Sequence, residues 1–244
     1  MKTAPFILLS CLAILLSCSS EEMQFVDTIA SPESILNYVD PFIGTGGHGH
    51  TFPGATTPFG MVQCSPQTRL EGWDACSGYH YTDNRIYGFA HTALSGTGVG
   101  DYGDILLFPQ LSGEPSPRNE HGQVYSTFNK TDESALAGKY CVILESGIEV
   151  ELTVTPRAGV YQYTFPSGKE AAFLIDFKHR DKVLDCSNVE TLSKSFSKMR
   201  EAAADMWHTE LSKFKIRSES HDNAVIFYTA LYHSFIAPNL FSAS

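Results

Sequence analysis

No stretch of this sequence gathers lysine and arginine into a basic stripe. Seventeen basic residues stand against 27 acidic ones, for a formal net charge of −10. That balance excludes nucleic acid as a sensible partner. No CxxC pair occurs among the six cysteines, so no zinc-ligand spacing can be recognised. The apolar run at residues 6–16 is too short to span a bilayer. Internal repeats and low-complexity segments are missing, which excludes solenoids and compositionally disordered chains.

What is present suits a folded, exported protein. With 43% hydrophobic and 12% aromatic residues the chain can build a real core. Its 244 residues suffice for one large domain or one and a half ordinary ones. Lys2, the apolar run and Leu15-Leu16-Ser17-Cys18 give a charged start, a short hydrophobic region and small residues at a cleavage point. The pattern resembles a bacterial lipoprotein signal over residues 1–17, with Cys18 acylated and residues 18–36 as a tether opening on Ser19-Ser20-Glu21-Glu22. Acyl chains would hold the protein at a membrane, on the periplasmic face or cell surface of a bacterial outer membrane. The alternative is a plain secretory signal with an incidental cysteine. Cys64, Cys76, Cys141 and Cys186 would remain, either with one disulfide or as buried thiols.

Residues 37–97 are dense in glycine, proline, histidine and aromatics, which predicts loops and short strands. Strands are expected at 105–108, 148–154, 160–165 and 171–177. In the second of these Ile148, Val150, Leu152 and Val154 alternate with Glu149, Glu151 and Thr153. Short strands separated by turn residues predict a mainly β chain, an antiparallel sandwich over 37–186. Helical spacing then takes over. Ser187-Asn188-Val189-Glu190 reads as a capping box for a linker helix at 189–214. Asp222 could cap a second helix, 223–236, apolar almost all round and so expected to be buried on every side. Little sequence follows it, and residues 218–244 read as the truncated start of a helical domain.

Four strings carry a family likeness: "YVDPFIGTGGHGHTFPGATTPFGMVQCSP", "GWDACSGYHYTDNRIYGFAHTALSGTGVGDYGDILL", "LIDFKHRDKVLDCS" and "FYTALYHSFIAPNLFS". They resemble the N-terminal part of glycoside hydrolase family 92, the calcium-dependent exo-α-mannosidases. The resemblance implies an N-terminal β-sandwich, a helical linker and a C-terminal (α/α)6 barrel, with the active site between the domains. It also implies inverting hydrolysis of α-mannosidic linkages in glycans by carboxylates of the barrel, and calcium held by ligands outside this chain. Two departures stand out. The family carries more sandwich strands after the third string, so the sandwich looks shortened. Ala93 also stands where the family usually has a histidine.

Residues 44–66 concentrate six glycines and three prolines around His48 and His50. Glycines permit positive φ and close backbone approach, while prolines freeze the turns between them. The product is a rigid loop suited to lining a sugar pocket. As a metal pair, His48 and His50 lack a third ligand at any recognisable spacing, and no metal site is assigned. Trp73-Asp74 is the leading binding candidate, because indole stacks on the C–H face of a sugar while a carboxylate accepts from its hydroxyls. Taken alone, such a pair is more often core plus turn; the resemblance reverses that. His80 and His91 follow as neutral partners for sugar oxygens, though each could be a structural histidine. Asp101 and Asp104 suit turn chemistry, and Glu149 and Glu151 suit a solvated strand face. An inverting glycosidase needs an acid and a base roughly 6.5–9.5 Å apart. Nothing here nominates such a pair, so no catalytic residue is assigned. Three readings follow: the sandwich side of a mannosidase, inactive by itself; a free-standing carbohydrate-binding lipoprotein; or a decayed remnant.

Overall fold

The computed structural model describes residues 35–177, 179, 195–218 and 220–236. Cys18, Cys186 and the expected capping box at 187–190 lie outside these residues, as does the whole of the expected leader.

Among the described residues, ten strands form two five-stranded sheets, antiparallel throughout. β1 (Ala55–Thr56), β2 (Gln63–Gln67), β4 (Gly88–Ala90), β5 (Leu106–Leu111) and β10 (Ala171–Asp176) lie in that order in one sheet. β3 (Arg85–Ile86), β6 (Ser126–Leu136), β7 (Lys139–Leu144), β8 (Glu149–Val154) and β9 (Gly159–Thr164) make the other. The main core lies between them: Ala55, Cys64 and Phe89 from one sheet meet Tyr140, Val142, Val150 and Leu152 from the other. This is the sandwich that the alternating residues predicted.

The β6–β7 hairpin escaped the sequence reading. β6 is polar along most of its eleven residues and shows no clean alternation. It holds its place through Glu133, which lies beyond a register shift between Phe128 and Glu133. The Glu133 side chain is buried and accepts from Tyr79 Oη at 3.0 Å, Tyr140 Oη at 2.7 Å and Lys130 Nζ at 3.1 Å. A buried carboxylate is tolerable only when saturated in this way. The network also ties β6 to the segment carrying Tyr79 and His80.

Two helices complete the described chain, α1 (Phe196–Leu211) and α2 (His221–Phe235). α1 lies against β8, and a Cβ on Gly138 would stand 2.9 Å from Cβ of Ala203. Trp207, fully buried, donates its indole N–H to the Thr56 carbonyl at 2.7 Å. The N-cap of α2 is Ser220, whose hydroxyl accepts from the Asn223 amide, rather than the expected Asp222. Ser220 supplies the same acceptor two residues earlier.

α2 also corrects the expectation of burial on every side. One face packs into a second core with Ile35, Val39, Phe52, Tyr79, Trp207 and Leu211, through Tyr228, Tyr232 and Ile236. Several of its partners, Ile35, Val39 and Phe52 among them, come from the other end of the described chain. The Phe59 amide donates to the Phe235 carbonyl, and Thr229 Oγ1 accepts from the Asp40 amide. Val225, Phe227, Leu231 and Phe235 are half-buried, and Ile226 is exposed.

Cys64, Cys76 and Cys141 are free thiols. Burial pushes the Cys64 thiol up to about 12, so it behaves as a small core hydrophobe. Cys76 is buried too, whereas Cys141 is half-buried, and no disulfide joins the described cysteines.

Candidate functional site

The 44–66 loop and the Trp73-Asp74 turn, far apart in sequence, meet at one point. Asp74 lies in a single 3₁₀ turn, Trp73–Ala75, closed by bonds from the Ala75 amide to the Gly72 carbonyl and from the Cys76 amide to the Trp73 carbonyl. His48 Nδ1 lies 2.8 Å from Asp74 Oδ1, and His50 Nε2 lies 3.0 Å from the same oxygen. An ionised carboxylate only accepts, so both ring nitrogens carry protons and donate. These bonds, from His48 first and then His50, hold the Asp74 carboxyl below the usual carboxylate range.

Local backbone geometry makes the convergence possible. Gly49 separates the two histidines, and a Cβ there would fall 2.1 Å from the Gly44 carbonyl oxygen; only glycine fits. His50 adopts φ 53°, an uncommon state for a residue with a side chain, and its ring is buried. A strained residue at a converging site is a pointer to function. His48 is by contrast exposed.

Trp73 completes the cluster. Its indole centroid lies 4.9 Å from the His48 ring and 4.5 Å from the His50 ring, the latter edge-on. It remains 58% exposed, so its ring face is open to a ligand. The loop after Thr92 flanks it: a Cβ on Gly98 would lie 2.8 Å from Trp73 Nε1, and the Gly96 amide donates to the His50 carbonyl. Gly98 was not singled out from the sequence, where it is one glycine in a glycine-rich string.

The remaining nominees sit elsewhere. His80 is buried, with Nε2 3.1 Å from the Gly47 carbonyl and Nδ1 2.9 Å from Thr82 Oγ1. With both nitrogens engaged it braces the His48 loop from behind and has none to offer a sugar. His91 lies against Tyr161 with the rings tilted and bonds Tyr161 Oη at 3.1 Å, with the Ile105 carbonyl nearby. None of these contacts is with the cluster, and burial pulls the His91 imidazole below its ordinary value. Ala93 is packed into the second core. Asp101 accepts from the Tyr102 amide, and Asp104 accepts from Thr92 Oγ1, both in loop-building roles. Glu149 is exposed, as a solvated strand face would have it, whereas Glu151 is half-buried and pairs with Lys139 across strands.

His48, His50 and Asp74 are also the one group of described His, Cys, Asp and Glu residues whose atoms could share a metal ion. Calcium does not fit it. Calcium takes six to eight oxygens, and two of these three donors are nitrogens. A separate hollow of about 220 Å³, lined by Tyr87, Phe108, Arg118, His121 and Leu174 among others, shares no residue with the cluster. The cluster is an open surface site, and its chemistry is that of an aromatic plane beside a fixed, ionised acceptor.

The sequence profile of the glycosyl hydrolase family 92 N-terminal domain matches residues 38–217. An uncharacterized secreted glycosidase of Arthroderma benhamiae is 30% identical over 158 residues, 58% of this chain and 20% of that protein. Among solved structures, a family 92 α-mannosidase from Bacteroides thetaiotaomicron, in complex with mannoimidazole, superposes with a TM-score of 0.76 at 23% identity. The match covers 86% of this chain and 41% of that one. A family 92 inverting mannosidase from the same species gives 0.66 at 17% identity, over 83% of this chain and 39% of the other. These likenesses establish the fold. The chain spans a fifth of the Arthroderma protein and about two-fifths of the solved mannosidases.

Proposed function

This chain belongs to glycosyl hydrolase family 92, and on that premise we propose that its cluster is the sandwich-side wall of a mannose site in an exo-acting, inverting α-mannosidase. The observation that carries the reading is the exposed Trp73 indole beside an Asp74 carboxylate pinned by two imidazoles. The indole supplies a plane for the C–H face of a sugar. Asp74 keeps Oδ2 as an acceptor for a hydroxyl, and holding it in place in advance lowers the entropic cost of binding.

The same geometry argues against Asp74 as the acid or base. A general acid must carry a proton near neutrality, and this carboxyl is held ionised. A general base must take up a proton readily near neutrality, and a carboxyl held below the usual carboxylate range is a weak proton acceptor. Proton transfer is therefore assigned to carboxylates of the helical barrel that the family resemblance implies, and the chain by itself is expected to turn over no α-mannoside. Calcium dependence, which the family resemblance implies, likewise calls for oxygen donors elsewhere. Export fits the leader-like N-terminus and the name of the Arthroderma relative. Lipid anchoring through Cys18 belongs to the same proposal.

A carbohydrate-binding lipoprotein without catalysis is the second reading. The packing of α2 favours it, since the helix is not a bare core surface awaiting a partner. One titration tests the shared part. The chain has two tryptophans, and Trp207 is fully buried, so iodide quenches chiefly Trp73. Methyl α-mannoside should shield that signal saturably. Quenching that is indifferent to the sugar defeats both readings. Turnover of an aryl α-mannoside by this chain would reject the assignment of proton transfer to other carboxylates.

A further inference from the structure

We propose that His48 Nδ1, His50 Nε2 and a carboxylate oxygen of Asp74 form an open binding site for a divalent transition cation of the zinc class. The inference goes beyond the sugar reading and does not rest on it.

Three donors of the right kinds already converge. All three ligand atoms lie within 4.8 Å of one another, and both imidazole nitrogens aim at a single oxygen. Zinc bonds to nitrogen and carboxylate oxygen at about 2.0–2.2 Å, which sets tetrahedral donors roughly 3.4 Å apart. The two N···O distances are shorter than that because protons now bridge them. A cation entering between the three would replace those hydrogen bonds, each imidazole moving its proton to its other ring nitrogen.

The scaffold limits how far the donors can drift. His50 is fixed by burial and by the Gly44–Gly49 backbone contact. Asp74 is fixed by its 3₁₀ turn, and Trp73 walls both rings. His48, exposed and adjustable, can close the remaining distance. Its exposed side leaves a fourth position for water or a ligand oxygen, as in open two-His, one-carboxylate sites. The nitrogen donors select against calcium and magnesium. The sequence hid this site because the third ligand lies 26 and 24 residues from the two histidines.

The test is a Zn²⁺ titration of the metal-stripped full chain against a chromophoric chelator, with Co²⁺ absorption as a second readout. One saturable equivalent is expected, with excess Ca²⁺ unable to displace it. Asp74→Asn and His50→Ala should each weaken it by more than about tenfold. His48→Ala, at an exposed position that cannot disturb the fold, should do the same. His121→Ala, at an exposed histidine elsewhere, should leave it unchanged. No saturable equivalent, or equal affinity in wild type and His48→Ala, overturns the proposal. Zinc held by a chain that ignores methyl α-mannoside keeps this site and removes the sugar reading. A mannoside response without zinc binding does the reverse.

Discussion

Gly98 sits so close to Trp73 that a Cβ at position 98 would stand 2.8 Å from the indole nitrogen. The backbone of one loop thus sets the tilt of the ring that another presents to solvent. Gly98→Ala should displace the indole, and because the ring is exposed the fold should absorb the change. Affinity for methyl α-mannoside is expected to fall about tenfold, ~1.4 kcal/mol, with the melting temperature little changed. Quenching titrations paired with thermal melts check both halves.

Trp207 is the opposite case, a fully buried indole whose N–H satisfies the Thr56 carbonyl. Trp207→Ala should destabilise the chain by about 3–5 kcal/mol, through the cavity and the lost bond together. Trp207→Phe keeps most of the volume and should cost about 1–3 kcal/mol, chiefly for the unsatisfied carbonyl. Urea denaturation of the two variants separates packing from hydrogen bonding.

Acid should loosen the fold through two histidines. Burial pulls His91 and His233 below the ordinary value, and His233 Nδ1 is a buried atom with no hydrogen-bond partner. In this case the unfolded chain takes up protons first, near pH 6.5, so stability rises with pH through the window below that value. Urea midpoints should be lower at about pH 5 than at about pH 7.5, and less so in His91→Gln. A midpoint independent of pH over that range would remove the argument.

Self-association should start at β10. Phe173, Leu174, Ile175 and Phe177 are all exposed, and β10 ends its sheet with β5 on one side only among the described strands. An exposed apolar edge is a template for pairing with a second copy. Phe173→Lys together with Ile175→Lys should shift sedimentation toward monomer at high concentration. Ile226→Lys on α2 should do less, because that helix is otherwise packed.

Cys18 should carry lipid. A fatty-acid analogue fed to expressing bacteria is expected to label the wild type and spare Cys18→Ala. Equal labelling of the two would leave only the plain secretory signal.

Sequence alone determined the sheet class and nominated four residues that the fold brings together. The alternation of Ile148, Val150 and Leu152 with Glu149 and Glu151 fits a strand with one face turned inward, although Thr153 is buried as well. Trp73, Asp74, His48 and His50 were legible because their residue types and the glycine-rich setting, weighed with the family resemblance, suggested a shaped sugar pocket. What only the tertiary structure decided is which of them meet. His80 and His91 looked equivalent to His48 and His50 as text, yet one braces a loop and the other packs against Tyr161. The β6–β7 hairpin was illegible because the burial of Glu133 depends in part on Tyr79, a residue 54 positions away, which no local pattern announces. The same holds for α2, whose apolar circumference described a helix but not the segment from Tyr38 to Phe59 that covers one face of it. Local periodicity reports the face a residue turns inward; the partner it finds there depends on contacts distant in sequence, and those exist only in the folded chain.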